Sequence, residues 1–164
     1  MPIRTARGSR VAPRHPRPRG WILSFPAPAL PAQAQVAGAI LTLIQSTTAP
    51  AGNPPGLGPI LVDVALAPFG DNPSLQSADW GAIFTGGTLQ RPLRIVAPRA
   101  ASQIQLQPGE LSWVNTTSGG RTQMRVRFTT PTSNNRTADQ VQWYTANYTT
   151  ATARPKLEVL YTAP

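Results

Sequence analysis

The chain has no cysteine and a single histidine, His15, and these two shortages remove whole classes of chemistry. Without thiols there is no disulfide framework, no thiolate metal centre and no cysteine nucleophile. The one imidazole sits in an arginine-rich tail, so the body of the chain has no histidine base for a serine triad. Acids are scarce too. Asp63, Asp71, Asp79, Glu110, Asp139 and Glu158 are the whole set, and none stands in a motif that pairs carboxylates for glycoside hydrolysis. The pairs Gly86-Gly87 and Gly119-Gly120 lack the lysine and following helix of a phosphate-binding loop. No apolar run reaches the roughly 20 residues of a membrane-spanning helix. The positive N-terminus is not followed by the apolar core of a signal peptide, because prolines interrupt the stretch after Trp21. These absences predict a protein with no catalytic function, no cofactor and no membrane span.

What is present suits strands joined by turns. Proline (19) and glycine (13) are frequent and charged residues make up only 13%, a balance that disfavours long helices. A length of 164 residues predicts one domain large enough for a real core. The net charge of +9 is unevenly placed. Arg4, Arg7, Arg10, Arg14, Arg17 and Arg19 put six positive charges, and no acid, into the first twenty residues; the other nine basic and six acidic residues leave only +3. Residues 1–20 are almost free of apolar side chains and are expected to form a disordered or extended arm. Its charge suits a polyanion, but it has no aromatic side chain to stack on bases. Nucleic acid is therefore not the expected partner, and a lead-in without function is favoured.

Residues 21–164 carry the strand periodicity. Trp21 to Phe25 is a short strand with Leu23 and Phe25 inward. Val36 to Gln45 places Ala39, Leu41 and Leu43 on one face; its other face, Ile40, Thr42 and Ile44, is also apolar, which suits a central or doubly covered strand. Ile60 to Leu66 sets Ile60, Val62, Val64 and Leu66 against Leu61, Asp63 and Ala65. One or two strands are expected in Ile83 to Val96 and another in Ser102 to Leu106. Near Leu75 to Trp80 a helical turn capped by Ser74 or Ser77 is expected, and Leu111 to Val114 suits either a helical turn or a strand. Arg121 onward holds three alternating segments: Met124, Val126 and Phe128 against Gln123, Arg125 and Arg127; Val141, Trp143 and Thr145 against Gln140, Gln142 and Tyr144; and Leu157, Val159 and Tyr161 against Lys156 and Glu158. Eight or nine short strands predict an all-β fold, an antiparallel two-sheet β-sandwich of jelly-roll type.

Candidate binding residues come from what remains. Arg125 and Arg127, successive outward positions on one strand, hold two guanidinium groups on one face about 7 Å apart. Such forks suit carboxylates, and Lys156 joins them if the last strand lies nearby; the competing reading is a solvated face partly neutralised by Glu158. Sugar rings stack on aromatic faces. Tyr144, opposite the inward Trp143, and Tyr148 in the following loop are the surface candidates, while Trp80 and Trp113 fall near turns and stay open. Asp63 is expected to be a solvated surface acid. Asp71 and Asn72, or Asn134, Asn135 and Asp139, offer oxygen ligands for calcium, but Asn and Asp are ordinary turn formers, and no metal site is expected.

The stretches TQMRVRF, VQWY and TATARPKLEVLYT, with ILSF at Ile22 to Phe25 and ILVDVALAPFGDNPSLQSADWGA at Ile60 to Ala82, resemble the DNRLRE-type domain, also classed as carbohydrate-binding module family 96. The resemblance covers Trp21 to Pro164. It implies a non-catalytic module that binds polysaccharide, for which acidic, alginate-like polymers are the family's reported ligands, in an extracellular or cell-surface setting within a larger exported protein. Family members begin with further strands, in whose place the basic arm stands here. The alternative is a structural assembly subunit of a virion, filament or surface layer that self-associates through an open sheet edge.

Overall fold

The computed structural model describes residues 20–69, 74–83, 85–131 and 137–163. Expectations that fall on residues 1–19, among them the arm with His15, and on the turn at Gly70 to Pro73, lie outside the described residues.

The described residues form seven strands: β1 (Trp21–Pro26), β2 (Gln35–Ile44), β3 (Ile60–Ala65), β4 (Gly87–Thr88), β5 (Ala101–Gln105), β6 (Arg121–Phe128) and β7 (Lys156–Thr162). They form two antiparallel sheets, one of four strands in the order β1-β6-β3-β4 and one of three in the order β5-β2-β7. The chain changes sheet at every connection except β3 to β4, which places the two sheets face to face as a sandwich. All-β architecture is therefore as the periodicity predicts.

The core lies between the sheets and is built from alternate residues of each strand. Leu23 and Phe25 of β1, Val62 and Val64 of β3, and Met124 and Val126 of β6 meet Ala39, Leu41 and Leu43 of β2 and Ile104 of β5. β2 is the central strand of its sheet, as the apolar character of both its faces suggested. Trp143 closes one end of the core and meets Trp21 edge-on, with ring centroids 5.3 Å apart at 81°.

Two expectations are corrected, those for Leu66 and for the Val141 segment. Leu66 lies just past the end of β3 and is 53% exposed, because β3 stops at Ala65 and its alternation stops with it. The Val141 segment keeps its alternation, with Val141 and Trp143 buried, but it is not a strand of either sheet. It makes only the isolated bridges Gln45↔Trp143 and Ala51↔Gln140. The Ile83 to Val96 stretch holds the one or two strands expected there as one short strand, the two-residue β4, and a bridge, Ile60↔Leu93. Its Gly86-Gly87 pair is a close approach: a Cβ on Gly86 would strike the Val64 carbonyl, and one on Gly87 the Trp113 ring. Leu111 to Val114 resolves as the end of a 3-10 turn, Pro108–Trp113. The helical turn near Trp80 is Ser77–Gly81, preceded by Gln76, whose N–H donates to Asp79 Oδ2 at 2.7 Å.

Leu41 is wholly buried at the sandwich centre, so Leu41→Ala should cost about 2–5 kcal/mol of unfolding free energy. Leu66→Ala should change it by less than about 0.5 kcal/mol. Denaturant titration of the two variants checks both values; equal losses would contradict the placement of Leu66 outside the core.

Candidate functional site

The outer face of the four-stranded sheet is organised by one carboxylate. Register pairs Asp63 of β3 with Arg125 of β6, and the pleat turns both away from the core together with Gln123 and Arg127. Asp63 has no solvent exposure. Its Oδ2 accepts from Arg125 Nε at 3.1 Å and Arg127 Nε at 2.8 Å. Its Oδ1 accepts from Thr88 Oγ1 at 2.7 Å and Arg127 Nη2 at 3.2 Å.

Arg125 also donates through Nη1 to the carbonyls of Trp80 and Ala82, at 3.0 and 3.2 Å. Its guanidinium lies over the Phe69 and Trp80 rings, 5.5 and 5.8 Å from their centroids. Beside it, Gln123 Oε1 accepts from the Phe69 N–H at 2.8 Å. The segment around Phe69 and Trp80 therefore roofs this face.

The two arginines share a face, as their spacing predicts, but that face is not the open, solvated surface expected. Their neutralising acid is Asp63 rather than Glu158, and Asp63 is buried rather than solvated. Lys156 and Glu158 lie on β7 of the other sheet. Arg125 directs every guanidinium nitrogen at a protein acceptor, while Arg127 leaves 30% of its side chain to solvent.

The outer face of the three-stranded sheet is different. β2 turns Ile40, Thr42 and Ile44 outward, and register sets Glu158 beside Ile40 and Lys156 beside Thr42. Past the start of β7, the Tyr144 segment takes that strand's place against β2: the Tyr144 N–H donates to the Ile44 carbonyl at 3.0 Å. Because Trp143 points inward, Tyr144 points out. A turn closed by the Tyr148 N–H on the Thr145 carbonyl (3.1 Å) brings the Tyr148 ring onto Tyr144. The rings stack with centroids 4.0 Å apart at 24°. Arg154 Nε donates to the Tyr148 carbonyl at 2.8 Å and fixes that loop.

Arg99 completes this region, and nothing in the sequence singled it out. It sits in the turn before β5 with φ of +67°, an uncommon conformation for a residue with a side chain. Gln45, wholly buried, holds the turn: its carbonyl accepts from the Arg99 N–H at 2.9 Å and its Oε1 from the Val96 N–H at 3.1 Å. Arg99, Ile44, Tyr144, Tyr148, Thr150 and Thr152 line a shallow open cleft of about 310 Å³. The hydrogen bond and charge of Tyr144, with some desolvation, push the Tyr148 hydroxyl up in pKa, and nearby Arg99 pulls it the other way. An apolar floor, an aromatic wall, two hydroxyls and a cation thus converge on one cleft. A second cleft of about 300 Å³, at Leu66, Trp113 and Asn115 to Thr117, has no charged lining residue.

Asp79, Glu110 and Asp139 have structural partners. Glu110 is buried and accepts from the Gln107 and Gln90 N–H groups at 2.7 and 2.8 Å, and Asp139 Oδ1 accepts from the Asn53 N–H at 2.6 Å. Among the described residues no group of three or more His, Cys, Asp or Glu side chains is placed to hold a metal ion. The calcium candidates Asp71, Asn72, Asn134 and Asn135 lie outside the described residues. Trp80 packs under Arg125 and Trp113 against Gly87. No model of a protein family, no curated protein and no solved structure matches this chain.

Burial raises the pKa of Asp63, but its hydrogen bonds to Arg127, Thr88 and Arg125 and the charge of Arg127 outweigh this and hold the carboxyl below the ordinary range. A lowered native pKa contributes stability above the unfolded carboxylate value of about 4, and that contribution is lost as pH falls through the native value. Asp63→Asn should remove this acid-side dependence and destabilise the fold by about 3–5 kcal/mol, since it strands two guanidinium groups. Denaturant midpoints measured from neutral to acid pH check both the size and the slope.

Proposed function

We propose that this chain is a non-catalytic carbohydrate-binding module that holds an acidic polysaccharide on the outer face of its three-stranded sheet. The observation that carries the reading is the Tyr144–Tyr148 pair, stacked at the rim of a cleft with Arg99 beside it. A sugar ring offers C–H groups to an aromatic face, the hydroxyls of Thr150 and Thr152 suit its own hydroxyls, and a guanidinium fork suits a uronate carboxylate. Lys156 on the same face, with Arg154 behind Tyr148, adds positive potential against the single acid Glu158.

Arg125 and Arg127 are assigned to holding Asp63 and its sheet, so the carboxylate-reading role expected of them passes to Arg99. The resemblance to DNRLRE-type domains supports the same reading independently, and it alone supports an extracellular or cell-surface setting within a larger exported protein.

Affinity electrophoresis in gels containing alginate, pectin or a neutral glucan tests the proposal. The wild-type chain should be retarded by a uronate polymer and not by the glucan. Arg99→Ala should weaken retardation by about tenfold to a hundredfold, the worth of a charge-assisted hydrogen bond, and Tyr144→Ala by about fivefold or more. Arg127→Lys should leave it unchanged. Equal mobility in all three gels would overturn the proposal.

A further inference from the structure

The longer of the two edge strands of the three-stranded sheet is β7. β7 lies at one end of the order β5-β2-β7, and among the described residues no strand pairs with its far side. Its seven residues contain no proline, and the one irregularity in its pairing, between Val36 and Gly38, belongs to β2. Native edges are commonly blunted by prolines, bulges, charged side chains or a covering loop; of these β7 carries only the charges of Lys156 and Glu158, in its first half. Here the edge carries Leu160 at 53% and Tyr161 at 46% exposure, two of the four large apolar side chains that stand exposed among the described residues.

Which backbone groups are free follows from the ladder. The Leu106 N–H donates to the Ala39 carbonyl, so the odd residues of β2 face β5, and Ile40 and Thr42 face β7. Their partners Glu158 and Lys156 therefore bond inward. Leu157, Val159 and Tyr161 turn their N–H and C=O groups to the open side.

We propose that a second copy of this chain occupies that edge, pairing β7 with β7 antiparallel about Val159 to make one six-stranded sheet. Charge and length select this register. It pairs all seven residues and sets Leu157 of one copy opposite Tyr161 of the other on the core side. On the outer side it sets Glu158 opposite Leu160 and Lys156 opposite Thr162. Sliding one copy by two residues in one sense sets Glu158 opposite Glu158, and the other sense leaves Lys156 and Leu157 outside the ladder. The pairing does not depend on the carbohydrate reading, although it would lay two Tyr144 clefts on one continuous sheet face.

One strand pair is a small interface beside the roughly 1,200–2,000 Å² of a stable complex, so dimer should accumulate with concentration. Sedimentation velocity on the full chain, from low to high micromolar protein, reads this directly. Tyr161→Pro removes a donor that faces the second copy and none that faces β2, and should leave a folded monomer. Leu160→Glu faces Glu158 across the pair and should weaken dimerisation by about tenfold, whereas Leu160→Lys should hold or tighten it, the sign of a cross-strand charge pair. A monomer throughout the range overturns the proposal. So does a dimer indifferent to Tyr161→Pro, or equal weakening by both Leu160 substitutions, which would mark an apolar patch rather than a strand ladder.

Discussion

A carboxylate with no access to water has to be neutralised where it stands, and the four-stranded sheet is arranged around that requirement at Asp63. Removing a charge from water costs several kcal/mol unless close partners replace the lost hydration. β6 supplies two guanidinium groups from one pleat face and β4 supplies the Thr88 hydroxyl. Arg125 then reaches on to the Trp80 and Ala82 carbonyls, which ties the Ser77–Gly81 turn down over the sheet. One ionic centre thus links β3, β4, β6 and the covering segment. It sets the register of β3 against β6 more strictly than the apolar rows alone, since a slip would part the acid from its bases.

The two outer faces of the sandwich therefore have different fates. On the four-stranded sheet, cations that are the residue type to read an acidic ligand are occupied by an internal acid and roofed by aromatic side chains. Among the described residues, no comparable roof lies over Ile40, Glu158, Lys156 and the stacked tyrosines on the three-stranded sheet, and the far side of its edge strand β7 stays unpaired. The electrostatic balance points the same way. Asp63 offsets the arginines on one side, while on the other Arg99, Arg154 and Lys156 have Glu158 as the acid on β7 among the described residues.

The periodicity of residues was enough to read the inward rows, because alternation depends only on neighbours in the chain. Met124 and Val126, Leu41 and Leu43, and Leu23 and Phe25 all lie where that reading puts them. It failed where the answer depends on a distant partner. Asp63 looks like a surface acid until the register brings Arg125 beside it. Trp143 and Val141 alternate like strand residues, yet the segment holds only isolated bridges because it meets β2 at its end. Tyr144 and Tyr148 were legible as surface aromatics, and a four-residue turn brings them into stacking. Arg99 carries no local signal; its turn is held by Gln45, 54 positions earlier in the chain, whose carbonyl accepts from the Arg99 N–H.

The asymmetry between the faces is most directly tested by amide chemical shifts recorded while a short uronate oligosaccharide is added. The account predicts movement at Ile44, Arg99, Tyr144, Tyr148 and Thr150, with the amides of Asp63, Arg125 and Arg127 unmoved. Shifts centred on Asp63 and the two arginines of β6 would contradict it.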